Sequence, residues 1–415
     1  MIPPTLYIAT RFIISRKRSL ILSMLGVVCG VGFFICTQAQ TQGFEKYFIQ
    51  SVLGTSGAIV VSDRFQARYT QFSGTSAADM VASSGQQARK YYEGITDPYR
   101  IMRVARSFSN VLGAAPIIRG SVSIASSFQS EVLRLEGIDM RYHLGATALR
   151  EQIISGTIDG FGAQPSAIIL GWMLADKLQV RVGDNVTVTA PTGTRTFKVV
   201  ALSRSGINII DETRGYINLS VAQSLLGKPS AASIITLRLR DPSRAPELAA
   251  HLERLFSHRA RSWQERERGN LALFSTLKIS AGITVSLIIL LAGFGIFNVL
   301  TLTVLEKLRE IAILRSMGYR RWDISAIFLW QGLIIATLGS LLGCGLGALL
   351  TFLVSLIPIN LRGVIFATHF VVDWNLHHYL YGSAIAFVAV LVATFFPAQR
   401  AASVPPVDIL RGSGQ

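Results

Sequence analysis

Four stretches of this chain run for at least 26 residues without a charged side chain, and that pattern narrows what the chain can fold into. Ser19 to Phe44 gives 26 such residues, Ile279 to Leu305 gives 27, Ile324 to Leu361 gives 38 and Trp374 to Gln399 gives 26. A bilayer core of ~30 Å needs about 20 helical residues to cross it, so each run suits a membrane-spanning helix. The third run is too long for one span. Pro358 should end its helix near Leu356, because proline lacks the N–H and clashes with the preceding turn. Composition agrees, since 50% of the 415 residues are hydrophobic and only 15% charged, against roughly 25% charged in soluble domains. The first run follows Arg11, Arg16, Lys17 and Arg18, as a secretory signal would. Its apolar part is too long for a signal and lacks a small-residue cleavage site, and no small residue precedes Cys29 or Cys36 as a lipoprotein signal requires. It is therefore read as an uncleaved anchor.

Basic residues near the span ends set the orientation. The N-terminal flank carries four, and the loop between spans two and three carries Lys307, Arg309, Arg315, Arg320 and Arg321. The tail has Arg400 and Arg411, while the loop between spans three and four has only Arg362. Both termini are thus expected in the cytoplasm, and residues from about 45 to 275 outside it. That insert holds 27 Lys+Arg and 19 Asp+Glu. Much of the chain's net charge of +16 is therefore a diffuse surplus in the wrong compartment for nucleic acid, with no aromatic-basic motif beside it. Attraction to lipid headgroups or a merely solvated surface explains it.

The insert reads as α+β. Strands are expected at Gly57–Val61, Glu131–Leu135, Asn185–Thr189, Thr196–Leu202, Gly215–Leu219 and Ser233–Arg240, with helices near Gly171–Leu178, Ser220–Leu226 and Ala245–Phe256. The third and fourth of those strands form a hairpin through Pro191-Thr192-Gly193-Thr194. Residues 66–90 have no clear period and are left unassigned. All three cysteines, Cys29, Cys36 and Cys344, fall within the uncharged runs, so no disulfide or cysteine-based metal site is expected in the insert.

Signals for enzymatic chemistry are missing. The one Gly-Lys pair, Gly227-Lys228, is followed by Pro229 where a phosphate-binding loop needs Ser or Thr. The six histidines never take metal-ligand spacing, no nucleophile elbow occurs, and no charge sits at a span centre to relay protons. What the spans do carry is small residues at helical spacing. Gly26 and Gly30 lie four apart, and Gly339, Gly343 and Gly347 form a row. Such rows let helix backbones approach closely, either within the chain or across a dimer.

The loop between spans two and three is the most informative segment. Glu306 to Met317 suits an amphipathic helix, and Gly318 suits the left-handed residue that closes one. Glu306 and Glu310 near its start and Arg315 near its end complement the helix dipole. A charged helix held between two spans can act as a lever for a cytoplasmic partner or lie in the interface as a plain amphipathic helix.

Several segments together resemble the ABC permeases of the FtsX/MacB type. Phe297-Asn298 and Glu306-Lys307-Leu308-Arg309-Glu310-Ile311-Ala312-Ile313-Leu314-Arg315-Ser316-Met317-Gly318 resemble their coupling segment. Phe396-Pro397-Ala398-Gln399-Arg400-Ala401-Ala402, with Pro406-Val407-Asp408-Ile409-Leu410-Arg411, resembles their tail. Ile327 to Gly332, Gly43 to Lys46 with Leu53-Gly54, and Ser262 to Glu265 are closer to the lipoprotein-releasing branch, LolC/LolE. The likeness covers both ends of the chain and keeps the four-span order.

The resemblance implies an α-helical membrane protein with four transmembrane helices and a large α+β extracytoplasmic domain inserted between spans 1 and 2. Its expected parts are 1–44 (N-terminus and first span), 45–275 (periplasmic domain with stalk), 276–304 (second span), 305–323 (cytoplasmic coupling helix loop), 324–357 (third span), 358–375 (short periplasmic loop), 376–398 (fourth span) and 399–415 (tail). It implies a permease of a bacterial inner membrane that pairs with a second permease, like or unlike, and docks a cytoplasmic ATPase dimer. The chain binds no cofactor itself, because ATP and Mg²⁺ sit on that partner. Such transporters move substrate outside the cytoplasm, a mode called mechanotransmission. For ATPase coupling the expected residues are Glu306, Arg309, Glu310, Ile313, Arg315 and Gly318. For acyl chains they are Leu25, Phe33, Phe34, Phe274 and Leu277.

Three functions are compatible with this. They are release of lipoproteins from the outer leaflet, MacB-like export of peptides, siderophores or glycolipids with a periplasmic adaptor, and FtsX-like control of a cell-wall hydrolase. In the lipoprotein-releasing branch one permease carries a long hook that recruits a periplasmic carrier. The hairpin from Thr187 to Thr196 is too short for it, so an unhooked partner or a homodimeric relative is expected.

Overall fold

The computed structural model describes residues 4–15, 17–63, 94–95, 97–228, 231–256, 258–358 and 369–403. The unassigned 66–90 segment, Arg362 and the tail motif from Pro406 to Arg411 lie outside them. The chain divides into two compact units. One holds residues 1–45, 272–359 and 368–415, and the other holds 46–271 and 360–367.

The first unit is helical. Among the described residues, four helices are long and apolar enough to cross a membrane, within Met24–Ser56, Arg268–Glu306, Arg321–Ser355 and Leu376–Ser403. The second of them has 39 residues, which at 1.5 Å each makes a rod of roughly 58 Å, about twice the hydrocarbon thickness. The third stops at Ser355 with Leu356 as its cap, one turn short of Pro358. At its other end the Asp323 carboxylate accepts the Arg320 backbone N–H at 2.8 Å. A twelve-residue helix, Pro4–Ser15, precedes the first span, and a nine-residue helix, Leu308–Ser316, joins the second to the third.

Both glycine rows face helices of their own chain. A methyl group added at Gly339, Gly343 or Gly347 would come within 3.0, 2.7 and 2.9 Å of Val27, Val31 and Ile35 on the first span. Gly26 and Gly30 abut Ala292 and Ile289 on the second span at 2.9 and 2.7 Å. The first span is thus clasped between the second and third, with Val27, Val31, Phe34 and Ile35 in the bundle core. Lipid tails are as apolar as these side chains, so close backbone approach, more than exclusion of water, holds such a bundle.

The second unit is built on a mixed sheet of ten strands among the described residues, β1 (Ile59–Ser62), β2 (Val111–Ala125), β3 (Ser130–Ile138), β4 (Ile153–Gly156), β5 (Ala167–Gly171), β6 (Asn185–Ala190), β7 (Gly193–Ser203), β8 (Arg214–Asn218), β9 (Ile234–Leu239) and β10 (Arg259–Ser262). Their order is β10-β1-β9-β2-β3-β8-β5-β7-β4, and β6 pairs with β2 and β7. Two pairs, β3 with β8 and β5 with β7, are parallel. Helices Trp172–Leu178 and Leu219–Leu225 bury Leu174, Leu178, Val221 and Ala222 on one part of the sheet. Helices Pro98–Ala105 and Ala245–Phe256 pack Met102 and Leu252 against another. The β6–β7 hairpin pairs Ala190 with Gly193, so its turn is Pro191-Thr192 alone, two residues shorter than the sequence implied. Gly193, at φ +141°, permits that tightness.

Burial of charge is concentrated where β2, β3 and β8 run side by side. Glu136 on β3 is 1% exposed and accepts a hydrogen bond from Arg119 Nε on β2 at 2.7 Å, with Arg214 Nε on β8 at 3.4 Å. Burial pushes its carboxyl up, but the two guanidinium groups outweigh that and hold it below its usual range. His143, whose ring lies 5.9 Å from that of Tyr216, is lowered to about 4, chiefly by burial, against the pull of Glu136.

A pH dependence follows from His143. Between pH 6.5 and about 4 the unfolded chain holds a proton on this histidine that the folded chain refuses, so stability falls as the pH falls through that window. The span from 6.5 to about 4 corresponds to a loss on the order of 3 kcal/mol. Asp211, whose carboxyl burial pushes up, acts in the opposite sense, because the folded state takes up its proton first. Thermal unfolding of the full chain in detergent should therefore show a smaller loss between pH 7 and 4.5 in a His143→Leu variant than in the parent. Equal losses would show that His143 does not set the slope.

Candidate functional site

The loop helix Leu308–Ser316 has two faces. Ile311 and Ala312 are buried in a cluster with Ala9, Val304, Ile324, Phe328 and Ala401, which fixes the helix to the ends of the spans. The other face carries Arg309, Glu310 and Ile313, and Met317 and Trp322 are exposed in the residues that follow. Ile313 is 46% exposed, Met317 72% and Trp322 79%. Large apolar side chains left open beside charges mark a surface that meets a partner or the headgroup layer.

The helix begins two residues later than the sequence implied. Glu306 is the last residue of the second span's helix, and Lys307 is the junction between the two. The lysine ammonium pairs with Glu310 and sits 5.3 Å over the Phe12 ring of the N-terminal helix. Packing of Ile311 and Ala312 against the span ends sets the new direction, and no proline or glycine signals it. Gly318 closes the helix at φ +100°, and its N–H donates to the Arg315 carbonyl at 3.2 Å.

Arg315 has a second partner. Its Nη1 donates to the Ala402 carbonyl at the end of the fourth span, at 2.8 Å. The loop helix is therefore tied to the second span by chain continuity, to the third by buried side chains and to the fourth by this bond. Beside it, Tyr7, Arg11 and Phe12 of the N-terminal helix and Glu310, Ile313 and Leu314 enclose a cleft of about 350 Å³. Sequence reasoning does not single out the N-terminal helix, nor the exposure of Met317 and Trp322. The signal that could have found the last two is apolar bulk placed among the basic residues of a short loop.

The expected acyl-chain residues do not form one face. Leu25, Phe33 and Leu277 are exposed and Phe274 is half-buried. Phe34 is 6% exposed and belongs to the bundle core, where a methyl on Gly382 would lie 3.1 Å from its ring. A charge at Phe34 would unpack the bundle, so that substitution cannot report on an outward-facing surface. An apolar recess of about 660 Å³ lies elsewhere, between the second and fourth spans, and its lining includes Leu290, Phe294, Phe297, Val388, Val392 and Phe396. Hydrocarbon is the chemistry it fits. Among the described residues no three His, Cys, Asp or Glu side chains converge as metal ligands, and Cys29, Cys36 and Cys344 are unbridged.

Comparison with known proteins adds to this geometry. Residues 20–255 match the MacB-like periplasmic core domain family, and residues 282–406 match the FtsX-like permease C-terminal family. The lipoprotein-releasing system transmembrane protein LolC of Xylella fastidiosa (strain Temecula1) is 27% identical over 442 residues, covering 99% of each chain. LolC of Haemophilus influenzae is 26% identical over 434 residues, again covering 99% of each. Among solved structures, the periplasmic region of MacB from Actinobacillus actinomycetemcomitans is 14% identical, covering 52% of this chain and 92% of that one with a TM-score of 0.33.

Proposed function

The chain belongs to the FtsX/MacB superfamily of ABC transporter permeases, and on that premise we propose that it is the membrane subunit of a system that releases lipid-modified proteins from the outer leaflet of a bacterial inner membrane. The observation that carries the substrate class is the end-to-end likeness to lipoprotein-releasing permeases, which covers both units. The observation that supports the mode of action is the loop helix, exposed through Ile313, Met317 and Trp322 and tied by Arg315 to the fourth span.

In this reading the ATPase is a separate chain that carries ATP and Mg²⁺, and it docks on the loop helix from the cytoplasm. Arg309, Glu310 and Ile313 meet it; Arg315 passes its displacement to the spans; Glu306 and Gly318 are the two ends between which the helix tilts. The basic residues flanking the first span and in this loop support a topology with both termini in the cytoplasm and the strand-rich unit in the periplasm. The two-residue turn of the β6–β7 hairpin suits a permease without a carrier-recruiting hook, paired with a hooked permease or with its own copy. In this reading acyl chains meet the exposed Leu25, Phe33 and Leu277 as separate apolar contacts, each buried CH₂ contributing ~0.8 kcal/mol. The match to the MacB-like periplasmic core domain favours a second reading, export through an adaptor and an outer-membrane duct.

Native mass spectrometry of the complex purified from its own membranes with its ATPase tests the first reading against the second. Lipoprotein release requires a copurifying acylated protein in the absence of an adaptor. An adaptor with no acylated protein would establish the exporter. The permease stoichiometry in the same spectrum shows whether the second permease is identical.

A further inference from the structure

A polar pocket of about 370 Å³ lies in the membrane unit where three spans meet. Its lining includes Gln38 and Gln42 of the first span, Lys278 of the second, and Asn375, His377 and Tyr381 at the start of the fourth, with Phe34 as an apolar wall. These groups are held in place. Gln38 Nε2 donates to the Lys278 carbonyl at 3.3 Å, the Lys278 ammonium pairs with Glu45, and the His377 backbone N–H donates to the Asn375 carboxamide oxygen at 3.1 Å.

The depth and charge of the pocket select its ligand. Trp374 and Tyr381 stand exposed at this end of the fourth span, 54% and 63%, and such amphipathic rings settle where hydrocarbon gives way to headgroups. Acyl esters sit at that same level. The Lys278–Glu45 pair cancels its own charge, so the pocket has little attraction for a bare phosphate. It offers donors instead, in the carboxamides of Gln42 and Asn375, the Lys278 ammonium and the Tyr381 hydroxyl. An ester group is an acceptor only and complements that set.

We propose that this pocket binds the glycerol-ester portion of a diacylglycerol-bearing ligand, its donors meeting the ester carbonyls while the acyl chains leave beside the exposed Tyr381 into the hydrocarbon. Two molecules carry that chemistry, a phospholipid and the diacylglyceryl group of a lipid-modified protein. The assignment to the second source, though not the site itself, rests on the release reading.

The test compares ester with ether linkages, which differ at the carbonyls and hardly at all in apolar bulk. The full chain in detergent is titrated with dioleoyl phosphatidylethanolamine, with its dialkyl ether analogue and with a diacylglyceryl-cysteine peptide, and bound species are read by native mass spectrometry. The ester lipid should bind about tenfold more tightly than the ether form, the effect of about one hydrogen bond. Gln42→Leu with Tyr381→Phe should bring that ratio to about one while ether-lipid binding persists, which shows that the bundle remains folded. Equal binding of the two forms by the parent chain overturns the site, as does a ratio that the substitutions leave unchanged. Displacement of phospholipid by the peptide assigns the pocket to the transported molecule. Retention of phospholipid beside the peptide assigns it to a resident lipid, and the ester site stands in both cases. Failure of the release reading would appear separately, as membranes that yield no acylated protein with the complex while the ester preference persists.

Discussion

Replacing Glu136 with alanine should destabilise the strand-rich unit by about 3–5 kcal/mol, because it leaves buried guanidinium charge without its counter-ion. Arg214 is the group most exposed to this loss, with 6% of its side chain accessible to water, and Arg119 retains 30%. The pairing is built into strand register. Glu136 faces Arg119 across the antiparallel β2–β3 ladder and Tyr216 across the parallel β3–β8 ladder, and Arg214 lies two residues before Tyr216 on the same strand. A one-residue slip of β8 would send Arg214 to the opposite face of the sheet. The network therefore penalises wrong pairing of a parallel strand that no short turn fixes. Thermal unfolding of the full chain in detergent should show the strand-rich unit melting roughly 10 °C lower in Glu136→Ala. Glu136→Leu combined with Arg119→Met and Arg214→Met should recover much of that loss, because the cost lies in the unpaired charge and apolar replacements can pack. A melting point unmoved by Glu136→Ala would mean that water or another carboxylate compensates the two arginines.

How far the sequence reveals such features depends on the distance over which they are determined. The spans are local, since an uncharged run of 26 residues has few other fates in a folded chain. The end of the third helix at Ser355 is local too, because Pro358 dictates it. Strand β2 is the contrary case. Gly113-Ala114-Ala115-Pro116 shows no alternation and no strand is expected there, yet it is a buried stretch of β2 paired with β9. Small residues are required there by tertiary packing, and a methyl at Gly113 would lie 2.1 Å from the Gly145 carbonyl oxygen. The same limit separates Phe33 from Phe34. Adjacent residues on a helix point about 100° apart, and only the neighbouring span decides which of the two is buried. The polar pocket is less legible still, because its residues come from three separate segments and form no motif in any of them.

Truncating Trp322 should weaken docking of the ATPase by about 30-fold, the effect of a hot spot worth ~2 kcal/mol. Trp322 is 79% exposed at the start of the third span, and Ile313 presents its side chain from the adjoining loop helix. Each is an exposed apolar side chain close in sequence to charged residues, the composition of a protein-binding surface. Adding Ile313→Asp should raise the loss to beyond about a hundredfold by placing a charge where burial is required. The ATPase alone should hydrolyse ATP at its own rate throughout, while stimulation by the permease and transport both disappear. An anchor in the headgroup layer gives a different signature, because an interfacial tryptophan contributes to insertion and stability without touching the ATPase. Affinity for the purified ATPase and the melting point of the permease, measured on the same Trp322→Ala preparation, separate the two. A fall in affinity at constant melting point assigns Trp322 to the docking surface, and the reverse assigns it to the membrane. Leu341→Ala, at a 70% exposed site in the interior of the third span, is the control and should change neither.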